Sequence, residues 1–194
     1  MKTKINTHYP HHVINDYNSD IYIADYTEQT KNDLIKKGVD ITFIKPTVIK
    51  SFLVENKKSI PFSSVKFDNA SFVNELTGKT LSQCECISFS SAEYSKGPWT
   101  LFLELKYCNP HSKYQKENME TAKKQLTDTY SYYKEKGIIN NKQQCYLVVS
   151  FPFFQTPFLN FGNTQIEVRN MRLKKVIFRG VNELKIKSEF KLEV

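Results

Sequence analysis

Cys145-Tyr146-Leu147-Val148-Val149 is apolar at every position, and it follows closely on a long segment whose apolar residues recur at helical spacing. A strand without a polar face needs cover on both sides, which an open sheet with one wet face cannot supply. In residues 117–136, Met119, Ala122, Leu126, Thr129 or Tyr130, and Tyr133 return in steps of three and four, and Gly137 follows where a helix would end. Two strand-like runs precede this segment, Cys84-Glu85-Cys86-Ile87-Ser88-Phe89 and residues 99–107, with turn residues between them. A hairpin, a crossover helix and a buried strand make a right-handed parallel unit. The expected fold class is therefore α/β, a mixed central sheet with flanking helices.

The rest of the chain is less regular. Residues 1–20, with His8, His11 and His12, show neither period and read as a loose or docked polar arm whose histidines lack a rigid frame for a metal. Residues 26–37 allow a short helix closed by Gly38, and residues 39–44 alternate as a strand before Pro46. Extended pieces are expected near 49–54 and 65–72, with a turn at Gly78. After Pro152 and Pro157 come a Phe-rich stretch and a basic section, about 165–194, that includes further strands. No repeat or linker divides the 194 residues, a length that suits one core. A single domain with a polar arm and a basic C-terminal section is expected.

Twenty-eight Lys and Arg against 20 Asp and Glu leave a net charge of +8. Such an excess favours a polyanion, although a solvated lysine-rich surface has the same composition. No run of eighteen apolar residues occurs and the N-terminus lacks the apolar stretch of a signal peptide, so a cytoplasmic protein without a membrane partner is expected. Cys84, Cys86, Cys108 and Cys145 then stay reduced. A zinc site is the sharper alternative, but alternation turns Cys84 and Cys86 away from Glu85 and puts Cys108 with Glu104 and Lys106. The thiols read as small core residues.

Glu104-Leu105-Lys106 places an acid and an amine on one face of a strand, with Leu101, Leu103 and Leu105 on the other. The same three-residue form occurs at Glu55 to Lys57, Glu183 to Lys185 and Glu189 to Lys191, so context has to decide. If Glu85 stands opposite Glu104, partner numbers sum to 189 and the turn centres on Tyr94 and Ser95. Opposed residues share a face. Two carboxylates and an ammonium would then crowd together, and a divalent cation would relieve the repulsion between the acids.

An acid on one strand, (D/E)-x-K on the next, then an amphipathic helix and a buried strand resembles the core of the PD-(D/E)XK nuclease superfamily, over about residues 83–151. The resemblance implies a restriction endonuclease-like fold and a Mg²⁺-dependent (or Mn²⁺-dependent) nuclease. Glu85 and Glu104 would be the metal ligands, and Lys106 would orient the attacking water and offset phosphate charge. Gln125 and Tyr130 resemble the Gln and Tyr of the RecB-like branch, at a spacing one residue longer than its usual form. The family's first acid is usually Asp, where this chain has Glu85.

DNA is the expected substrate, with RNA as the alternative, and a homodimer would serve to cut both strands. Lys123 and Lys124 on the helix, and Arg169, Arg172, Lys174, Lys175 and Arg179 in the basic section, are the candidate phosphate contacts. Two other readings stay open: a non-cleaving nucleic-acid-binding or assembly module on the same fold, and a domain whose basic surface docks an acidic protein. A salt-bridged surface hairpin would also account for the three charged residues. Gly-rich phosphate loops, G-x-S-x-G elbows and helical His pairs are absent from the sequence.

Overall fold

The cover demanded by the apolar run comes from helices on one side and from a second sheet on the other. The computed structural model describes the chain except for residues 69–70, 93–95, 109–114 and 155–164, and gives the backbone alone for 165–167. In chain order the elements are α1 (Lys2–His8), β1 (Ile14–Tyr17), β2 (Ile21–Asp25), β3 (Val39–Thr42), β4 (Phe52–Glu55), β5 (Phe62–Lys66), β6 (Cys86–Ser90) and β7 (Thr100–Leu105). They continue with α2 (Gln115–Glu135), β8 (Cys145–Ser150), α3 (Gln165–Leu173), β9 (Val176–Gly180), β10 (Glu183–Ser188) and β11 (Lys191–Glu193). Among the described residues the strands form two mixed sheets, ordered β1-β5-β6-β7-β8-β9 and β11-β10-β4-β2-β3. The chain is thus an α/β fold with few helices.

In the larger sheet β1, β5, β6 and β7 pair antiparallel, while β7, β8 and β9 are parallel. Each parallel join runs through a helix, α2 or α3, because parallel neighbours need a crossover. Strand alternation then sorts the side chains into two cores. Ile87, Phe89, Phe102, Leu147 and Val149 pack with Ala122, Leu126 and Tyr133 of α2 and with Ile5 of α1. Cys86, Leu101, Leu103, Leu105, Tyr146 and Val148 face Ile21, Ile23, Phe52, Val54, Leu184 and Ile186 of the smaller sheet. Helices, large sheet and small sheet form three layers.

The central unit has the expected form. α2 buries Ala122, Leu126, Thr129 and Tyr133, one stripe of a helix. It ends where Gly137 takes φ +64, with Gly137 N–H on Lys134 C=O at 3.0 Å and Ile138 N–H on Tyr133 C=O at 2.9 Å, the double-bonded glycine stop. β6 and β7 pair as Cys86 with Leu103, Ile87 with Phe102 and Ser88 with Leu101, in the register whose numbers sum to 189. The turn expected at Tyr94 and Ser95 lies outside the described residues.

Elsewhere the structure departs from expectation. Residues 1–20 hold α1 and β1, and Ile5 and His12 are buried, so of the loose and docked forms expected this part is docked, with secondary structure that the sequence did not suggest. Its elements are too short to display a period. Residues 27–35 form turns and bends, not a helix. Leu34 and Ile35 are exposed there, and a short helix with no surface to pack against has little to hold it. The extended piece expected at 65–72 lies earlier, at β5, and that expected at 49–54 begins only at Phe52.

Candidate active site

β7 ends at Leu105, and Lys106 N–H then donates to Ser150 C=O at 2.9 Å. The pairing with β8 therefore carries Glu104 and Lys106 to the rim where these parallel strands stop, the end at which α/β sheets collect ligands. Phe102 packs on the helix side, so alternation puts Glu104 and Lys106 there as well. Lys106 Nζ donates to Gln125 Oε1 of α2 at 2.8 Å and lies 2.6 Å from Glu104 Oε1. The Gln125 side-chain nitrogen donates to Gln83 C=O at 2.9 Å. Gln125 thus holds the ammonium and at the same time ties α2 to the segment entering β6.

Glu85 stands at a bend one residue before β6. Its N–H donates to Leu103 C=O at 3.0 Å and its C=O accepts from Phe67 N–H at 2.9 Å. The bend splits the thiols: Cys84 enters the helix-side core and Cys86 the core between the sheets. This corrects the expectation that both turn to the face opposite Glu85, since alternation stops at the bend. The four cysteines are unpaired thiols, with Cys84, Cys86 and Cys145 buried.

Glu104 is 0% exposed, and among the described residues neither of its carboxylate oxygens has a partner in hydrogen-bonding alignment. Burial pushes its pKa up to about 7 against the pull of Lys106. Glu85 is held well above the usual carboxylate range, by burial first and then by the charges of Glu104 and Asp25. Two buried acids that share the field of one ammonium, Lys106, are short of positive charge. Carboxylate oxygens are the donors a hard divalent cation takes, and Glu104 Oε2 is left without a partner among the described residues. Among the described residues no three His, Cys, Asp or Glu converge as a metal-ligand set, so Glu85 and Glu104 could supply only part of the oxygen ligands of a divalent cation.

Asp25 is the site residue that sequence reasoning missed. It ends β2 of the smaller sheet, and its charge raises the pKa values of Glu85, Glu104 and Tyr107. Its N–H donates to the Tyr107 hydroxyl at 3.3 Å, which in turn donates to Lys50 C=O at 2.7 Å. Asp25 Oδ1 accepts from Thr27 N–H at 2.9 Å and Thr27 Oγ1 at 2.5 Å. The one sequence signal is an acid closing the apolar run Ile21 to Ala24. That it meets the end of β7 is a tertiary fact.

The other candidates are scattered. Tyr130 sets its ring edge-on to Phe102, with centroids 5.9 Å apart, as a core contact. Lys123 lies 3.5 Å from Glu120, and Lys124 pairs with Asp128. Val176 opens β9 level with Cys145 and Thr100, so Lys174 and Lys175 stand at the end of the parallel strands away from Glu104. The four-residue offset is roughly 13 Å along the strand at about 3.3 Å per residue. Arg172 lines a cleft at the same far end with Gln144 and Val176. Arg169 is exposed on α3, and Arg179 alternates onto the face opposite Phe178, with Nη1 donating to Phe178 C=O at 2.8 Å. Lys174 and Lys175 are thus away from the hairpin's charged end, whereas Arg179 stands level with Val148 and Leu103, one residue short of Glu104. Two of the other E-x-K forms meet each other across the small sheet, Lys185 lying 3.9 Å from Glu55.

No protein-family model matches the chain, and neither a curated protein nor a solved structure matches it significantly. Among the described residues, no helix is long and apolar enough to cross a membrane.

Proposed function

We propose that the chain is a Mg²⁺-dependent nuclease on a restriction endonuclease-like core of the PD-(D/E)XK kind, hydrolysing phosphodiester bonds of DNA. The observation that carries this is the fully buried Glu104 carboxylate, paired with Lys106 through Oε1 but with Oε2 left without a hydrogen-bond partner among the described residues, at the C-terminal end of β7 beside Glu85. Glu85 and Glu104 would hold the Mg²⁺ or Mn²⁺ ion, which supplies the Lewis acidity that polarises a phosphate oxygen and eases loss of a proton from water. Lys106 offers its ammonium to the phosphate and to the attacking water. Gln125 limits the lysine's rotamers through the 2.8 Å bond, so that less freedom is lost when the transition state forms. Burial of the acids strengthens every charge interaction at the site.

A non-cleaving nucleic-acid module on the same fold is favoured by one observation, the ion pair of Lys106 with Glu104, which partly balances the acid without a cation. Incubation of plasmid and labelled oligonucleotides with Mg²⁺ or Mn²⁺, against an EDTA control, decides between them. The wild type should cut only with metal. Lys106→Met and Glu104→Ala should each slow cutting by roughly a hundredfold or more with the fold retained by circular dichroism. A wild type that cuts neither DNA nor RNA with any divalent metal overturns the nuclease reading, and retention of the uncut strands would then favour the non-cleaving module.

A further inference from the structure

We infer that the site takes single-stranded nucleic acid, with an unpaired base stacked on Phe153 beside Tyr107; this rests on the nuclease reading and names its substrate class. The chain leaving β8 makes a tight turn in which Phe154 N–H donates to Phe151 C=O at 2.8 Å. Asn182 holds the turn from outside. Its side-chain nitrogen donates to Phe151 C=O at 2.9 Å and to Phe154 C=O at 3.0 Å, while its Oδ1 accepts from the Ser150 hydroxyl at 2.8 Å. Phe151 and Phe154 stack on each other with centroids 4.9 Å apart and pack against the helix-side core. Phe153 is left 50% exposed.

That ring is presented at the site. It meets Tyr107 edge-to-face, with centroids 5.9 Å apart at 74°. Tyr107 is the residue after Lys106, and its hydroxyl is fixed by Asp25 N–H and Lys50 C=O. Half of this ring stays open on a pinned turn, with its other side on Tyr107. A nucleobase offers it a flat partner, and base–aromatic stacking is tolerant of sequence. Bases inside a duplex are already stacked on their neighbours and cannot use it. Of the candidate cations, Lys174, Lys175 and Arg172 lie at the far end of the sheet and Lys123 and Lys124 are engaged by acids, while Arg179 stands level with Leu103 and the Lys50 backbone holds Tyr107.

The test is fluorescence anisotropy of a labelled twelve-nucleotide strand, alone and as a duplex, in Ca²⁺ with wild type, Phe153→Ala and Phe153→Trp. Wild type should bind the single strand more tightly than the duplex. Phe153→Ala should weaken single-strand binding about tenfold and leave duplex binding and the melting temperature unchanged. Phe153→Trp should retain binding, and its emission should be quenched by the strand, against an unresponsive Trp99 that is 0% exposed. Tighter duplex binding by wild type, or equal single-strand binding by Phe153→Ala, overturns the inference and also indicates that the exposed ring serves another partner. Metal-dependent cutting lost in Lys106→Met would stand in that case. Conversely, a chain that cuts nothing but loses the single strand in Phe153→Ala keeps the stacking site and drops the nuclease reading.

Discussion

Replacing Glu104 by Gln should make the metal-free protein more stable at pH 8. The ordinary carboxyl pKa of 4.5 is raised to about 7 in the fold, chiefly by burial and in spite of Lys106. A carboxyl with a raised folded pKa binds its proton more tightly when folded, so its favourable contribution is complete below pH 4.5 and is lost as pH rises through about 7. At about 1.4 kcal/mol per pH unit, the gap amounts to about 3 kcal/mol of destabilisation at pH 8. Gln has the shape of the protonated acid and escapes that loss, and the neighbouring Glu85, whose pKa Glu104 also raises, is relieved in the same direction. For a chain of this size about 3 kcal/mol corresponds to a rise in Tm of about 6–12 °C. Thermal melts followed by circular dichroism in EDTA, at pH 8 and pH 4, measure the difference between the two proteins. Because the comparison is made at each pH, the titration of groups that do not interact with Glu104 cancels. The gap should close at pH 4. Saturating Mg²⁺ should raise the Tm of the wild type, by about 2.7 kcal/mol of stabilisation at a hundred times Kd, and leave Glu104→Gln nearly unmoved. A Gln variant that melts lower at pH 8, or that is as much more stable at pH 4, refutes the idea of an uncompensated buried charge.

Burial holds the His12 pKa down at about 4 from 6.5, with Nε2 on Ser71 C=O at 3.0 Å. The contribution of this neutral ring is therefore full above pH 6.5 and is lost as pH falls toward 4. Allowing for residual solvent screening, about 2 kcal/mol should disappear in that window, and urea melts of His12→Phe should show a flatter acid limb than those of the wild type. Gly97 takes φ +72, and a Cβ there would come 2.5 Å from the Lys142 carbonyl oxygen. Gly97→Ala should cost at least about 2 kcal/mol from backbone strain and overpacking, and an unchanged denaturation midpoint would count against the described approach of that loop to the start of β8.

Legibility followed the length and regularity of the signal. The stripe Ala122, Leu126, Thr129 and Tyr133 spans three turns, and its only stable placement is against a sheet, so α2 and its glycine stop could be read directly. The doubly apolar β8 demanded two covering layers, and alternation in β6 and β7 left one register in which Glu85 and Glu104 meet. Glu104 and Lys106 were therefore legible in the sequence, because the strand period puts them on one face, whereas Gln125 was indicated only by the resemblance to the nuclease superfamily.

What covers the second face of β8 was not legible. The smaller sheet joins β2, β3 and β4 from the first third of the chain to β10 and β11 from its end, strands of three to six residues whose pairing depends on contacts remote in sequence. Asp25 reaches the site only through that pairing. The basic section shows the converse. Its charges are adjacent in sequence, yet the turn from α3 into β9 sends Lys174 and Lys175 to the far end of the sheet. Local periodicity thus determined the central hairpin, helix and strand and the charged trio they carry. Only the tertiary structure decided which distant groups surround that trio, because loop closure and sheet pairing bring residues together regardless of their separation along the chain.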